Sequence, residues 1–101
     1  MKPEISIVIP AYHESERLGT PLKTILGYIS KNGINAEVIV VDDGSADNTS
    51  EVAKTAFDAM PEIASNVVKY DTNRGKGFAV KTGLLAGLST LASKTILPIV
   101  G

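Results

Sequence analysis

The chain has 101 residues, room for one small domain or part of a larger one. Hydrophobic residues make up 44% and charged residues 21%, and 10 basic against 11 acidic residues leave a formal net charge of −1. Such a composition is globular and carries no basic footprint for nucleic acid or an anionic membrane; with no cysteine, it excludes disulfides and thiolate metal sites and favours an intracellular setting.

The opening stretch MKPEISIVIP does not read as a signal peptide, because its apolar run is short and carries a Pro and a Glu. No stretch reaches the roughly 18 apolar residues of a membrane helix. The most apolar part, Leu84 to Val100, is interrupted by Ser89, Ser93, Lys94 and Pro98.

In chain order, the β-branched run Ile5–Ile9 predicts a strand buried on both faces, as in parallel sheets, ended by Pro10. Leu18, Leu22, Ile25, Leu26 and Ile29 then recur with helical period, with Pro21 tolerated near the helix start and Gly33 as its stop. Ala36–Asp42 predicts a second buried strand. Asp47 or Asn48 is placed to cap the next helix, with Glu51 three residues after Asn48 as in a capping box. Val52, Ala53, Ala56, Phe57 and Met60 form its apolar face. Asn66–Asp71 predicts a third strand, Phe78–Ala92 a third helix, and TILPIV the start of a fourth strand. Gly83 and Gly87 weaken that third helix or mark close packing. This alternation predicts an α/β fold, a parallel sheet with helices on its faces, with no internal repeat and no domain boundary.

In such a sheet the carboxyl ends of all strands share one edge, and ligands bind where the loops converge there. Three polar clusters fall at these ends: PAYHE (Pro10–Glu14), DDGS (Asp42–Ser45) and DTNRGKG (Asp71–Gly77). DDGS can be a plain turn with a helix cap, since Asp, Gly and Ser are ordinary turn residues. A cap needs only one acceptor, however, which leaves a second carboxylate to explain. A carboxylate just past a strand can accept hydrogen bonds from a base N–H or from ribose hydroxyls. A metal held by both is disfavoured, because adjacent side chains on an extended chain point to opposite sides.

Arg74 and Lys76 lie on a glycine-flanked loop leading into the third predicted helix, an arrangement suited to an anion such as diphosphate. The bland alternative is a solvated basic turn. The loop is neither a P-loop nor GxGxxG, because Val80 stands where the third glycine belongs. His13, the single histidine, has neither a nucleophile nor an orienting partner in its sequence surroundings, so an exposed loop residue is the preferred reading over a catalytic base. Tyr12 can offer an aromatic face to a base or sugar, or cover the sheet edge. Glu14, Glu16 and Arg17 read as first-turn helix charges, with Glu14 near enough to the strand end to touch a ligand.

ISIVIPAYHESERL, VIVVDDGSADNT and NRGKGFAVKTGLLAG, in this order and spacing, resemble family-2 glycosyltransferases of the GT-A fold. The nearest resemblance is to the branch acting on dolichyl or polyprenyl phosphate. It implies a parallel three-layer αβα nucleotide-binding sheet of Rossmann-like type, incomplete at its fourth strand. It further implies that Pro10, Ala11, Tyr12 and Glu14 line a nucleotide pocket and that Asp43 meets the base, with Asp42 close by. Arg74, Gly75, Lys76 and Gly77 would lie near the nucleotide and diphosphate. The implied donors are UDP-glucose or GDP-mannose and the implied acceptor a lipid phosphate, with no nucleic-acid partner.

Where the sequence departs from the family pattern, His13 replaces a usual Asn and Phe78 a usual small residue. The family's DxD motif, which holds Mg2+ or Mn2+ on the donor diphosphate, has no counterpart in KTILPIVG. Residues 1–101 are therefore expected to be the donor-side part of a transferase domain, stopping before DxD, binding nucleotide without metal or turnover. Its exposed sheet edge would favour oligomers, and its setting would be cytoplasmic, complete relatives acting at the cytoplasmic face of a membrane. The alternative is an α/β interaction module that binds no nucleotide.

Overall fold

Residues 3–75 are described by a computed structural model, which carries five elements in β-α-β-α-β order. They are β1 (Ile5–Ala11), α1 (Gly19–Lys31), β2 (Ala36–Asp43), α2 (Thr49–Asp58) and β3 (Ala64–Tyr70). The strands form one parallel sheet in the order β1-β2-β3, so β2 is central and is buried along its whole length. The α/β fold with a parallel sheet is thus as expected. The third helix and fourth strand expected from the sequence lie outside the described residues.

Alternation along the strands divides the core into two faces. Ile7 and Ile9 of β1 and Val38 and Val40 of β2 pack with Leu22, Leu26 and Ile29 of α1 and Ala53, Ala56 and Phe57 of α2. Val8, Ile39 and Val41 face the other way, with Val68 and Tyr70 against them. Each fully buried branched side chain contributes about 1.5–3 kcal/mol by leaving water. Both helices sit on the first face, and neither is long and apolar enough to cross a membrane.

Three local expectations change. Pro10 does not end β1: the strand runs on through Ala11, with Pro10 opposite Val41. The described ladder lies on one side of β1, and proline is tolerated on a strand where its missing N–H would face away from the ladder. β3 begins at Ala64 rather than Asn66, and Asp71 falls just past its end. At the start of α2, Asn48 makes no side-chain capping bond. Of the two candidates it is Asp47 that supplies the acceptor: its Oδ1 takes the Thr49 N–H at 3.1 Å and also the Thr49 hydroxyl, an Asx-type turn. Gly33 does close α1, with φ of 61° just past the Asn32 C-cap.

Register fixes where the polar clusters land. Ala11 pairs with Asp42, and Asp43 pairs with Tyr70, so the three strands finish level at one edge. The loops 12–15, 44–48 and 71–75 leave from that edge together.

Candidate functional site

The DDGS turn is the hub of this edge. Asp42 continues the parity of Val38 and Val40 and points to the helical face. Its Oδ1 accepts the Ser45 N–H at 3.0 Å and its Oδ2 the Ser50 hydroxyl at 2.6 Å, all three residues being buried. Asp43 continues the parity of Ile39 and Val41 and points to the opposite face. Its Oδ1 accepts the Arg74 N–H at 2.8 Å; its Oδ2 accepts the Gly75 N–H at 3.0 Å and the Asn73 side-chain amide at 2.9 Å. The same amide reaches the Asp43 carbonyl at 3.3 Å. Consecutive N–H groups converging on one anion form a concave anion cradle, here filled by the protein's own carboxylate.

Loop 12–15 is laced to the start of α2 by its backbone. His13 N–H donates to Ser45 Oγ at 2.9 Å, Glu14 N–H to Thr49 Oγ1 at 3.0 Å and Ser15 N–H to Asp47 Oδ2 at 3.4 Å. His13 adopts the left-handed region, with φ of 53°, which turns the chain sharply off β1. Its ring stacks on Tyr12 with centroids 3.9 Å apart and planes 25° from parallel. Tyr12 remains exposed beside this stack. Glu14 is buried, and its carboxylate takes the exposed Arg17 guanidinium. Its carbonyl accepts the N–H groups of Arg17 and Leu18, so residues 14–18 form a turn ahead of α1 rather than its first turn.

Two ionisations are shifted by these surroundings. The hydrogen bond from the Thr49 side chain, aided by Ser15, lowers Asp47 from 3.8 to about 2 against an opposing burial effect. The Tyr70 phenol is pushed above its ordinary value, first by burial and then by the adjacent Asp43 carboxylate. Tyr70 therefore stays neutral and packs beside Asp43 on the second face.

The sequence-selected residues are brought together with these roles. Pro10 and Ala11 are buried at the end of β1; with Glu14 and Arg17 they line a hollow of about 30 Å³ against α1. Tyr12, Arg74 and Gly75 are exposed at the edge, and Asp42 and Asp43 are buried beneath it. Lys76 and Gly77 lie outside the described residues. A roomier cleft of about 460 Å³, bordered by Pro3, Gly33, Asn35 and Glu62, sits at the opposite end of the strands, away from these clusters.

Sequence reasoning missed Ser45, Thr49, Ser50 and Asn73, whose hydroxyls and amide hold the loops together. It also missed the steric role of Gly44. With φ of 74°, Gly44 lies against the next loop so closely that an added Cβ would fall 2.5 Å from Asn73 N and 2.6 Å from Thr72 C. The period of two along β2 was a usable signal for the divergence of Asp42 and Asp43. The partners of these residues carry no local signal.

The acidic pair does not fit a metal ion. The two carboxylates diverge to opposite faces, and each is engaged by protein donors. Among the described residues no group of His, Cys, Asp or Glu is arranged to hold one.

Residues 6–89 match the Glycosyl transferase family 2 domain. The chain belongs to glycosyl transferase family 2. Among curated relatives, dolichyl-phosphate beta-glucosyltransferase of Homo sapiens is 38% identical over 91 residues, covering 82% of this chain and 27% of that protein. The Saccharomyces cerevisiae enzyme of the same name is 37% identical over 86 residues, covering 80% of this chain and 25% of its own length. A solved structure, the mannosyltransferase PcManGT from Pyrobaculum calidifontis in complex with GDP-Man and Mn2+, superposes with a TM-score of 0.64 at 26% identity. It covers 85% of this chain, which spans 25% of that structure. This family 2 chain thus spans about a quarter of the length of the relatives it matches. The GT-A likeness of its sheet, and its kinship with dolichyl-phosphate glucosyltransferases, agree with the resemblance drawn from its motifs.

Proposed function

We propose that residues 1–101 are the donor-side part of a glycosyltransferase domain and bind the nucleotide of a nucleotide-diphosphate sugar. The observation that supports this most is the hydrogen-bonded convergence of loops 12–15, 44–48 and 71–75 at the carboxyl edge of a family 2 sheet. In a parallel α/β sheet that edge is where ligands sit. Tyr12 offers an exposed aromatic face for the base. Asp43 presents a carboxylate at the strand end, and Arg74 an exposed cation for the diphosphate. The kinship with dolichyl-phosphate glucosyltransferases and the GDP-Man bound by the structural neighbour favour UDP-glucose or GDP-mannose as donor and a polyprenyl phosphate as the acceptor of the whole enzyme.

A lipid phosphate is largely ionised near neutral pH, its second pKa lying at about 6, so such an acceptor asks less of a general base than a hydroxyl does. The structural neighbour is in complex with Mn2+, and among the described residues of this chain no group of His, Cys, Asp or Glu is arranged to hold such an ion. Calorimetry of the chain with UDP and GDP tests the proposal. Binding at millimolar affinity or tighter, lost in Asp43→Ala, is expected. Absence of heat with both nucleotides would overturn it in favour of an α/β module that takes no nucleotide.

A further inference from the structure

We propose that His13 is a positioning residue for nucleobase recognition: its imidazole backs the Tyr12 ring and holds it ready for the base of the nucleotide to stack on. The inference rests on the nucleotide reading above and adds the residue that prepares the base-binding ring. The two rings stand 3.9 Å apart at their centroids and 25° from parallel, a face-to-face contact. His13 thereby covers one face of Tyr12. Tyr12 is still 44% exposed, so the pair leaves open aromatic surface for a planar ligand.

The backbone explains why the imidazole sits there. With φ of 53°, His13 is in the left-handed region, where Asn, Asp and His are the favoured residues after glycine. Bonds from the N–H groups of His13, Glu14 and Ser15 to Ser45, Thr49 and Asp47 pin the chain in that shape. A pinned Cα fixes the direction of its Cβ, and here that direction brings the ring onto Tyr12. All three donors are backbone groups, so a different side chain at position 13 leaves the lacing intact. The His13 side chain is exposed and adds little to the core. What its ring adds is order at Tyr12. An exposed aromatic side chain that is free to change rotamer loses that freedom when a ligand stacks on it. A ring already held by its neighbour has lost it beforehand, and binding gains accordingly.

The test compares the whole chain with His13→Asn, Tyr12→Leu and the double variant Tyr12→Leu/His13→Asn. Asn accepts the left-handed backbone, so His13→Asn removes the ring and keeps the loop. In proton NMR of the nucleotide-free chain, the Tyr12 ring protons should lie upfield through the ring current of His13, and the shift should vanish in His13→Asn. UDP and GDP affinity, followed by NMR titration, should fall about three- to tenfold in His13→Asn, the range of one aromatic pair. The double variant should bind no worse than Tyr12→Leu, because His13 acts through the Tyr12 ring. Absence of the upfield shift in the wild type would overturn the inference. So would unchanged nucleotide affinity in His13→Asn, and that result leaves the nucleotide reading standing. Losses that multiply in the double variant would show His13 acting by a contact of its own and overturn its role through Tyr12. A wild-type chain that takes neither UDP nor GDP would overturn the nucleotide reading and this role together.

Discussion

Ser50 Oγ donates to Asp42 Oδ2 at 2.6 Å, tying the end of the central strand to the first turn of α2. The other oxygen of Asp42 holds the Ser45 N–H, so this carboxylate fastens a helix and a turn at once. Asp43, its neighbour in the chain, faces away and fastens the third loop. Between them the two anions fasten the turn at Ser45, the first turn of α2 and the 71–75 loop without sharing a donor.

Asp42→Ala should therefore act on stability. It strands the buried Ser50 hydroxyl and Ser45 N–H, and an unsatisfied buried polar group costs about 1–3 kcal/mol. Urea denaturation should show a lower midpoint of that order, with Asp42→Asn losing less because its amide oxygen keeps one acceptor. A change below about 0.5 kcal/mol, ordinary for a surface position, would contradict the anchoring role.

The core of α1 makes a second case. Leu26 is fully buried between the helix and the sheet, whereas Tyr28, two residues on, is 64% exposed. Leu26→Ala should cost about 2–5 kcal/mol through lost burial and the cavity left behind. Tyr28→Ala should stay within about 0.5 kcal/mol. Equal losses from the two would mean that α1 is rotated from the orientation described here.

Much of this could be read before any coordinates, because it depends on local periodicity. Leu22, Leu26 and Ile29 mark the buried stripe of α1 by their spacing, and the period of two along β2 separates Asp42 from Asp43. The parallel topology follows from alternating strands and helices, and it brings PAYHE, DDGS and NRG to one edge. What local pattern could not carry was the choice among competing partners. Asn48 with Glu51 made a capping box on paper, yet Asp47 reached the Thr49 N–H. Asn73 carries no local mark of its role, because its bond to Asp43 spans 30 positions in the chain. Proline breaks ladders and so marks a strand end by pattern, but the described ladder flanks β1 on one side only.

Gly27 and Gly33 separate backbone effects from packing. A Cβ added at either meets nothing within 4 Å, so neither substitution creates a clash. Gly27 lies inside α1 and gains helix propensity from alanine, a stabilisation of about 0.5–1 kcal/mol. Gly33 has φ of 61°, where a Cβ costs about 1–2 kcal/mol. Thermal melts of Gly27→Ala and Gly33→Ala should move in opposite directions; shifts of the same sign would refute this account of the α1 terminus.

Asp47 supplies the pH prediction. Hydrogen bonding by the Thr49 side chain is the main cause that lowers its pKa, from 3.8 to about 2, so the folded chain favours the charged form more than the unfolded chain does. A group depressed in this way adds stability that is fully present above its unfolded value and fades as pH falls toward its folded value. The contribution should hold above pH 3.8 and be lost as the pH falls toward about 2. Asp47 also holds the Ser15 N–H, so its protonation loosens loop 12–15 and the start of α2 together. Asp47→Asn removes the titration while keeping an acceptor for Thr49. Melting midpoints followed through this acid range should fall more steeply for the wild type than for Asp47→Asn, and the two curves should run parallel above it. Parallel curves throughout would mean that the Thr49 bond does not favour the charged carboxylate.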